Sequence, residues 1–238
     1  MMPHPTGSLS LIDLSPVVPP ATSMVERVYG SLKHQILTCK LQPGRRLNEK
    51  ELCEEFSISR TPLREALSRL AMDQLVQTGH YRGYQVSPIL VADVIELCEV
   101  RIIVEGSMGA LAAERASPEE IEQLASLAEL PYEPGNRTTY EDYLRANSAF
   151  HKALAQCSRN RRLEGIVMSV LDQLQRPIYL GLDIGLDPAA ATAEHVDIVQ
   201  AIRNRDCAKA SFILTRNIGA TRDRMVAVLE GTNPPPKK

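Results

Sequence analysis

Apolar residues recur at helical spacing along most of this chain, and only two short stretches alternate as strands do. In MVERVYGSLKHQILT, residues 24–38, Val25, Val28, Leu32 and Ile36 fall on one stripe, the signature of a helix with one buried face. Pro43-Gly44 breaks that pattern. Asn48 then suits the cap of a second helix, with Glu51 three residues on and Leu52 and Phe56 facing inward. The third segment, SRTPLREALSRLAMDQL, puts Leu63, Ala66, Leu67, Leu70 and Ala71 on its buried side. Thr61 is its expected cap and Pro62 its expected first helical residue, where a missing N–H costs nothing. The β-prone runs Leu75–Thr78 and Tyr84–Ser87 flank a GHYRG tip and predict a hairpin.

From Val91 onward every long segment reads as helix. The pattern predicts helices over 92–115, from Thr138 or Thr139 to Ser158, and over 161–180, 189–204 and 206–229. Ser117-Pro118-Glu119-Glu120 marks another start, with a cap, a proline and a glutamate at capping-box spacing. PYEPGNR and GLDIGLDP read as loops. The expected fold is mostly α: an N-terminal winged helix-turn-helix with a small β-hairpin wing, then an all-α bundle of about six helices. The expected boundaries are a disordered leader over 1–22, the winged module over 23–88, the bundle over 89–230 and a disordered tail over 231–238.

Composition sharpens this division. There is no tryptophan and there are only three phenylalanines, so the core must be aliphatic, which suits helix-on-helix packing. No apolar run reaches the ~20 residues of a membrane span. The leader has no basic n-region, and the five scattered cysteines form no CxxC pair, so the expected setting is the cytoplasm. Residues 23–88 hold ten Lys+Arg against seven Asp+Glu, whereas the remainder holds 17 against 22. A mildly basic piece joined to an acidic one points to two domains with different partners.

The chemistry of the first piece follows from what its third helix leaves outside: Arg60, Thr61, Arg64 and Ser68, near the leading end. A helix-turn-helix directs that end at base edges in the major groove. An arginine fork there can bond guanine O6 and N7 together. His80 and Arg82, in the hairpin tip, suit phosphate or the minor groove. A charged helix edge is often only a solvated face, but here helix, turn, capped helix, basic helix and basic hairpin come in order. The run LQPGRRLNEKELCEEFSISRTPLREALSRLAMDQLV followed by RGYQV resembles the winged helix of the GntR family of bacterial transcription regulators. The resemblance implies DNA contacts at Lys50, Ser59, Arg60, Thr61, Arg64, His80 and Gly83. One departure is Asp73-Gln74, where the family pattern has an acidic residue and then glycine.

In the second piece, polar residues interrupt the apolar stripes of four helices. Asn147 and His151 stand at i and i+4; His195 shares a face with Ile198, Val199 and Ile202; Asn217 shares one with Ile213 and Leu214; Arg101 precedes Val104 and Glu105. Any one could be a satisfied core residue, and Arg101 could simply pair with Glu105 along its helix. Together they predict a polar pocket in an apolar bundle, the usual form of a small-ligand site. EVRIIVEGSMGALAAERAS, NSAFHKALAQCSRN and EHVDIVQAI resemble the FCD effector domain of the FadR subfamily of GntR regulators. The resemblance implies a pocket for a small carboxylate metabolite, and in many members a divalent metal held at four positions. Those positions fall here on Asn147, His151, His195 and Asn217. Two are amides, poor substitutes for a carboxylate or imidazole on zinc or nickel, so the expected cofactor is at most a weakly bound divalent metal. The expected partners are a pseudo-palindromic double-stranded DNA operator, the metabolite and a second copy of the chain in a homodimer. An α-helical metal-dependent hydrolase with a winged protein-interaction module is the alternative. Against it, the chain has no HExxH motif and no nucleophile–base pair.

Overall fold

Ser23 opens the first helix: its side chain accepts from the backbone N–H of Glu26, and α1 runs Met24–Leu37. The computed structural model describes residues 23–78, 83–129, 132–133, 136, 138–183 and 189–231. The expected leader, most of the expected tail and the hairpin-tip residues His80 and Arg82 lie outside the described residues. After α1 come β1 (Arg46–Leu47), α2 (Glu49–Phe56), α3 (Arg60–Met72), β2 (Val76–Thr78) and β3 (Tyr84–Val86). Asn48 caps α2 as expected, accepting from the N–H of Lys50. The strands form one antiparallel sheet in the order β1-β3-β2, with Val76 opposite Val86 and Leu47 opposite Tyr84. Val28, Leu32, Ile36, Leu52, Leu63, Leu67, Leu70 and Val86 share one buried cluster beneath these elements.

The third helix begins earlier than its sequence indicates. Ser59, in extended backbone, holds the cap position, so Arg60 and Thr61 are already helical and Pro62 is the third residue, not the first. Proline fits there because the first-turn N–H groups have no intrahelical acceptor. Ser59 makes no side-chain cap bond, leaving its hydroxyl free for another partner. The strand β1 is also additional: two residues are too few to show alternation, and their partner is supplied by the fold.

The remaining described helices are α4 (Val91–Arg115), α5 (Pro118–Leu127), α6 (Thr138–Cys157), α7 (Arg161–Asp183), α8 (Ala189–Arg203) and α9 (Cys207–Leu229). Ser117 and Glu120 form the expected reciprocal capping box on α5. The helix α7 continues past residue 180, with Pro177 in its interior. The pair α4 and α9 is held closest. A Cβ on Gly109 would stand 2.4 Å from Leu214 Cδ1 and 3.3 Å from the Ala210 carbonyl; one on Gly106 would stand 2.7 Å from Thr215 Cγ2. These two glycines let the helix backbones approach. Met108, Ala112, Phe150, Leu154, Ile198, Ile202 and Leu214 fill one part of the bundle core; Cys98, Tyr140, Leu174 and Met225 fill the other. No described helix is long and apolar enough to cross a membrane.

Candidate functional site

The leading end of α3 stands free of the core. Ser59, Arg60, Thr61 and Arg64 are all exposed, as is Lys50 on α2, while Leu63, Ala66 and Leu67 on the other face are buried. Arg64 is held by a partner: its Nε donates to Glu49 Oε2 at 2.8 Å. That pair spans α2 and α3 and fixes the arginine side chain near the helix entrance. Gly83 is half-buried where the described chain resumes before β3. Of the eight expected DNA-facing residues, five are exposed on α2 and around the leading end of α3, Gly83 is half-buried before β3, and His80 and Arg82 lie outside the described residues.

The second site is inside the bundle. Asn147 and His151 from α6, His195 from α8, Asn217 from α9 and Arg101 from α4 are all buried and all line one cavity of about 50 Å³. The five sequence-expected residues therefore converge. Four further polar residues join them: Tyr143, Glu194, Thr221 and Arg224. Three of them carry a signal in the sequence, because they continue a face already marked, whereas Glu194 does not. Tyr143 lies one turn before Asn147, Thr221 and Arg224 lie one and two turns after Asn217, and Glu194 adjoins His195.

Beside the lining residues Arg101 and His151 is a fully buried carboxylate. Glu105 Oε1 accepts from Arg101 Nε at 2.5 Å, and Glu105 Oε2 lies 2.8 Å from His151 Nδ1. Neither of the latter two atoms has any other partner among the described residues, so each depends on the other. Burial alone would push this carboxyl up. The Arg101 guanidinium and His151 more than reverse that and hold it well below the usual carboxylate range. Arg101 is thus the intrahelical partner of Glu105 and a cavity-lining group at once. The contact with Glu105 orients the His151 ring within the cavity. His195 stacks on Phe150, ring centroids 3.8 Å apart, and its pKa is lowered well below the ordinary histidine value, by burial first and by His151 next. Its Nδ1, together with both amide atoms of Asn217, is buried without a partner among the described residues. Orphaned buried polar atoms are costly, and they mark where a ligand or water would bond.

The donor set at the four positions is a poor one for a metal. Two imidazoles and two neutral amides offer no anionic ligand among the four positions, and the Glu105 carboxylate beside His151 is already taken by Arg101 and His151. Among the described residues no group of three or more His, Cys, Asp or Glu is placed to hold a metal ion. The residues present do not fit zinc or nickel in the ordinary way.

A winged helix-turn-helix with a free basic edge, joined to a helical bundle around a polar cavity, defines a DNA-binding regulator with a ligand-sensing domain. The family pattern described as "Bacterial regulatory proteins, gntR family" matches residues 24–86, and the FCD domain pattern matches residues 96–220. The chain belongs to the GntR family and carries an FCD domain. It is 32% identical over 197 residues to an HTH-type transcriptional regulator in an unstable DNA locus of Streptomyces ambofaciens, covering 82% of each chain. It is 30% identical over 203 residues to the galactonate operon transcriptional repressor of Escherichia coli K12, covering 76% of this chain and 87% of that one. A putative GntR regulator from Rhodococcus sp. RHA1 shares the fold with a TM-score of 0.72 at 24% identity, over 87% of this chain and 99% of that one. The protein is a transcription regulator and not an enzyme, which removes the hydrolase alternative.

Proposed function

We propose that this regulator binds a pseudo-palindromic operator as a homodimer and that a small organic acid in the bundle cavity sets its affinity for DNA. The observation that carries the reading is the convergence of polar side chains from four helices on one cavity holding unpartnered buried amide and imidazole atoms. Asn217 and His195 supply hydrogen bonds to a carboxylate and its hydroxyls, His151 is oriented by Glu105, and Arg224 supplies a cation not consumed by Glu105. Arg101 steers electrostatically from its buried pair. No metal step is needed. The galactonate operon repressor is named for a sugar acid, which favours the same ligand class. A cavity of about 50 Å³ is well below the several hundred Å³ of ordinary ligand pockets. A larger acid enters only as the helices part, and that displacement is what a switch requires. Its discrimination between the two arrangements must reach several kcal/mol, on the order of 3–5.

On DNA, Arg60 and Arg64 read base edges, Ser59 and Thr61 bond phosphate or base, and Lys50 and Gly83 approach the backbone, with His80 and Arg82 assigned to the wing tip. Two modules on a two-fold site set the half-site spacing. The regulator acts in the bacterial cytoplasm, at the nucleoid when bound. Fluorescence anisotropy on the DNA flanking its own gene tests both halves. Arg64→Ala should cost roughly 1–3 kcal/mol on that site and much less on random DNA. His151→Ala should bind DNA normally yet lose its response to organic acids. Equal losses on both DNAs, or a normal acid response in His151→Ala, would refute the corresponding half.

A further inference from the structure

A second cavity lies between the winged module and the bundle. It is an open cleft of about 490 Å³, within the range of small-molecule sites. Three parts of the chain meet in it: the turn and strand after α3, the linker over 87–90, and the adjoining ends of α4 and α7. It shares no residue with the cavity around His151.

Arg176 stands in this cleft with only 5% of its surface exposed. One Nη donates to the Ser87 carbonyl at 2.6 Å. Its Nε is buried and has no partner among the described residues. No carboxylate among those residues forms an ion pair with it; Asp93, at the exposed rim on the first turn of α4, is within electrostatic reach only. A buried guanidinium without an anion is an expensive arrangement, and it is relieved when an anion arrives. The walls around it include Val76, Ile89, Leu97 and Pro177. Gln74 also lines the cleft and sits at φ 61, in the left-handed region. A glycine there would be free of strain; the glutamine instead brings an amide to the cleft.

We propose that this cleft is a second ligand site, for a carboxylate with an apolar chain, its head on Arg176 and its chain against Leu97, Ile89 and Val76. Such a ligand touches the DNA-binding module, the linker and the bundle together, so its occupancy sets how the module is seated. The site is independent of the organic-acid reading of the His151 cavity.

Titration calorimetry with n-alkanoates from acetate to octanoate, on the full chain, tests it. Octanoate should bind more tightly than acetate by about tenfold or more, because each added methylene is buried. Arg176→Gln should weaken octanoate about tenfold or more through the lost charge-assisted bonds. Because that change also removes the Ser87 contact, Leu97→Trp, which fills the cleft and leaves every polar group in place, should weaken it equally. Asn217→Leu, in the other cavity, should leave octanoate binding unchanged. The site is refuted by no alkanoate binding, by acetate binding as tightly as octanoate, or by octanoate affinity that falls in Asn217→Leu and survives in Leu97→Trp.

Discussion

The pairing of Glu105 with both Arg101 and His151 decides how the bundle cavity behaves as pH changes, together with the neutral His195 beside it. His195 has its pKa lowered in the folded chain, so between that value and the ordinary one near 6.5 the unfolded chain binds the extra proton. Its contribution to stability is complete above about pH 6.5 and is lost as pH falls below it. Glu105, also lowered, contributes above the ordinary carboxylate value near 4.3 and loses its contribution only below that. Of these two groups only His195 is losing its contribution between pH 7 and 5, so urea midpoints measured over that range should fall in the wild type and stay flat in His195→Asn. The groups facing His195 are His151, Glu105 and Arg101, with Phe150 stacked on its ring. A slope that persists in the variant would move the titration to another residue. Glu105→Gln should be far more damaging at neutral pH, by about 3–5 kcal/mol, because it strands a buried guanidinium.

At the scale of elements, the contact of α4 with α9 sets two opposing terms against each other. Glycine inside a helix costs up to about 1 kcal/mol relative to alanine, so Gly→Ala is stabilising wherever space allows. Gly219 has nothing within 4 Å of an added Cβ, whereas Gly109 faces Leu214 and the Ala210 carbonyl. Gly219→Ala should therefore raise stability by about 0.5–1 kcal/mol, and Gly109→Ala should lower it by about 1–3 kcal/mol through overpacking. Thermal unfolding of the two variants side by side checks the sign of each. Such tertiary closeness is what the sequence conceals. The helices themselves were legible because apolar stripes such as Val28, Leu32 and Ile36 are set by local period, and all three residues are buried. The cavity was legible in outline because Asn147, His151, His195 and Asn217 break those stripes. The link from Glu105 to His151 joins α4 to α6 and leaves no periodic trace, nor does the two-residue strand Arg46–Leu47, which needs β3 opposite. The start of α3 is not legible in the sequence, because serine at 59 and threonine at 61 are both good caps and backbone conformation chooses between them.

For the molecule as a whole, the winged module and the bundle meet through polar pairs more than through a shared core. Lys33 on α1 is bonded to Asp172 on α7, half-buried; Lys40 reaches Glu141 on α6 at 3.3 Å; Arg176 bonds the linker at Ser87. The apolar cluster of the winged module is separate from the two clusters of the bundle. Separate cores joined by ion pairs can shift against each other at small cost, as a ligand-controlled regulator needs, since exposed pairs contribute about 0–1 kcal/mol each. Burial would lower the Lys33 ammonium pKa, yet Asp172 raises it above its ordinary value, so this pair is the strongest of the set. Asp172→Asn should therefore loosen the seating without disturbing either core. Thermolysin digestion reads that directly, because the linker presents Ile89 and the exposed Leu90. Cleavage there should rise about fivefold at low salt, corresponding to roughly 1 kcal/mol, while the global melting temperature stays nearly constant. In the wild type, added salt should raise cleavage toward the variant's rate as the ions screen the exposed pairs. An unchanged cleavage rate in Asp172→Asn would mean that the two domains are held by something other than these charges, and the route from cavity to DNA would then have to run through the linker alone.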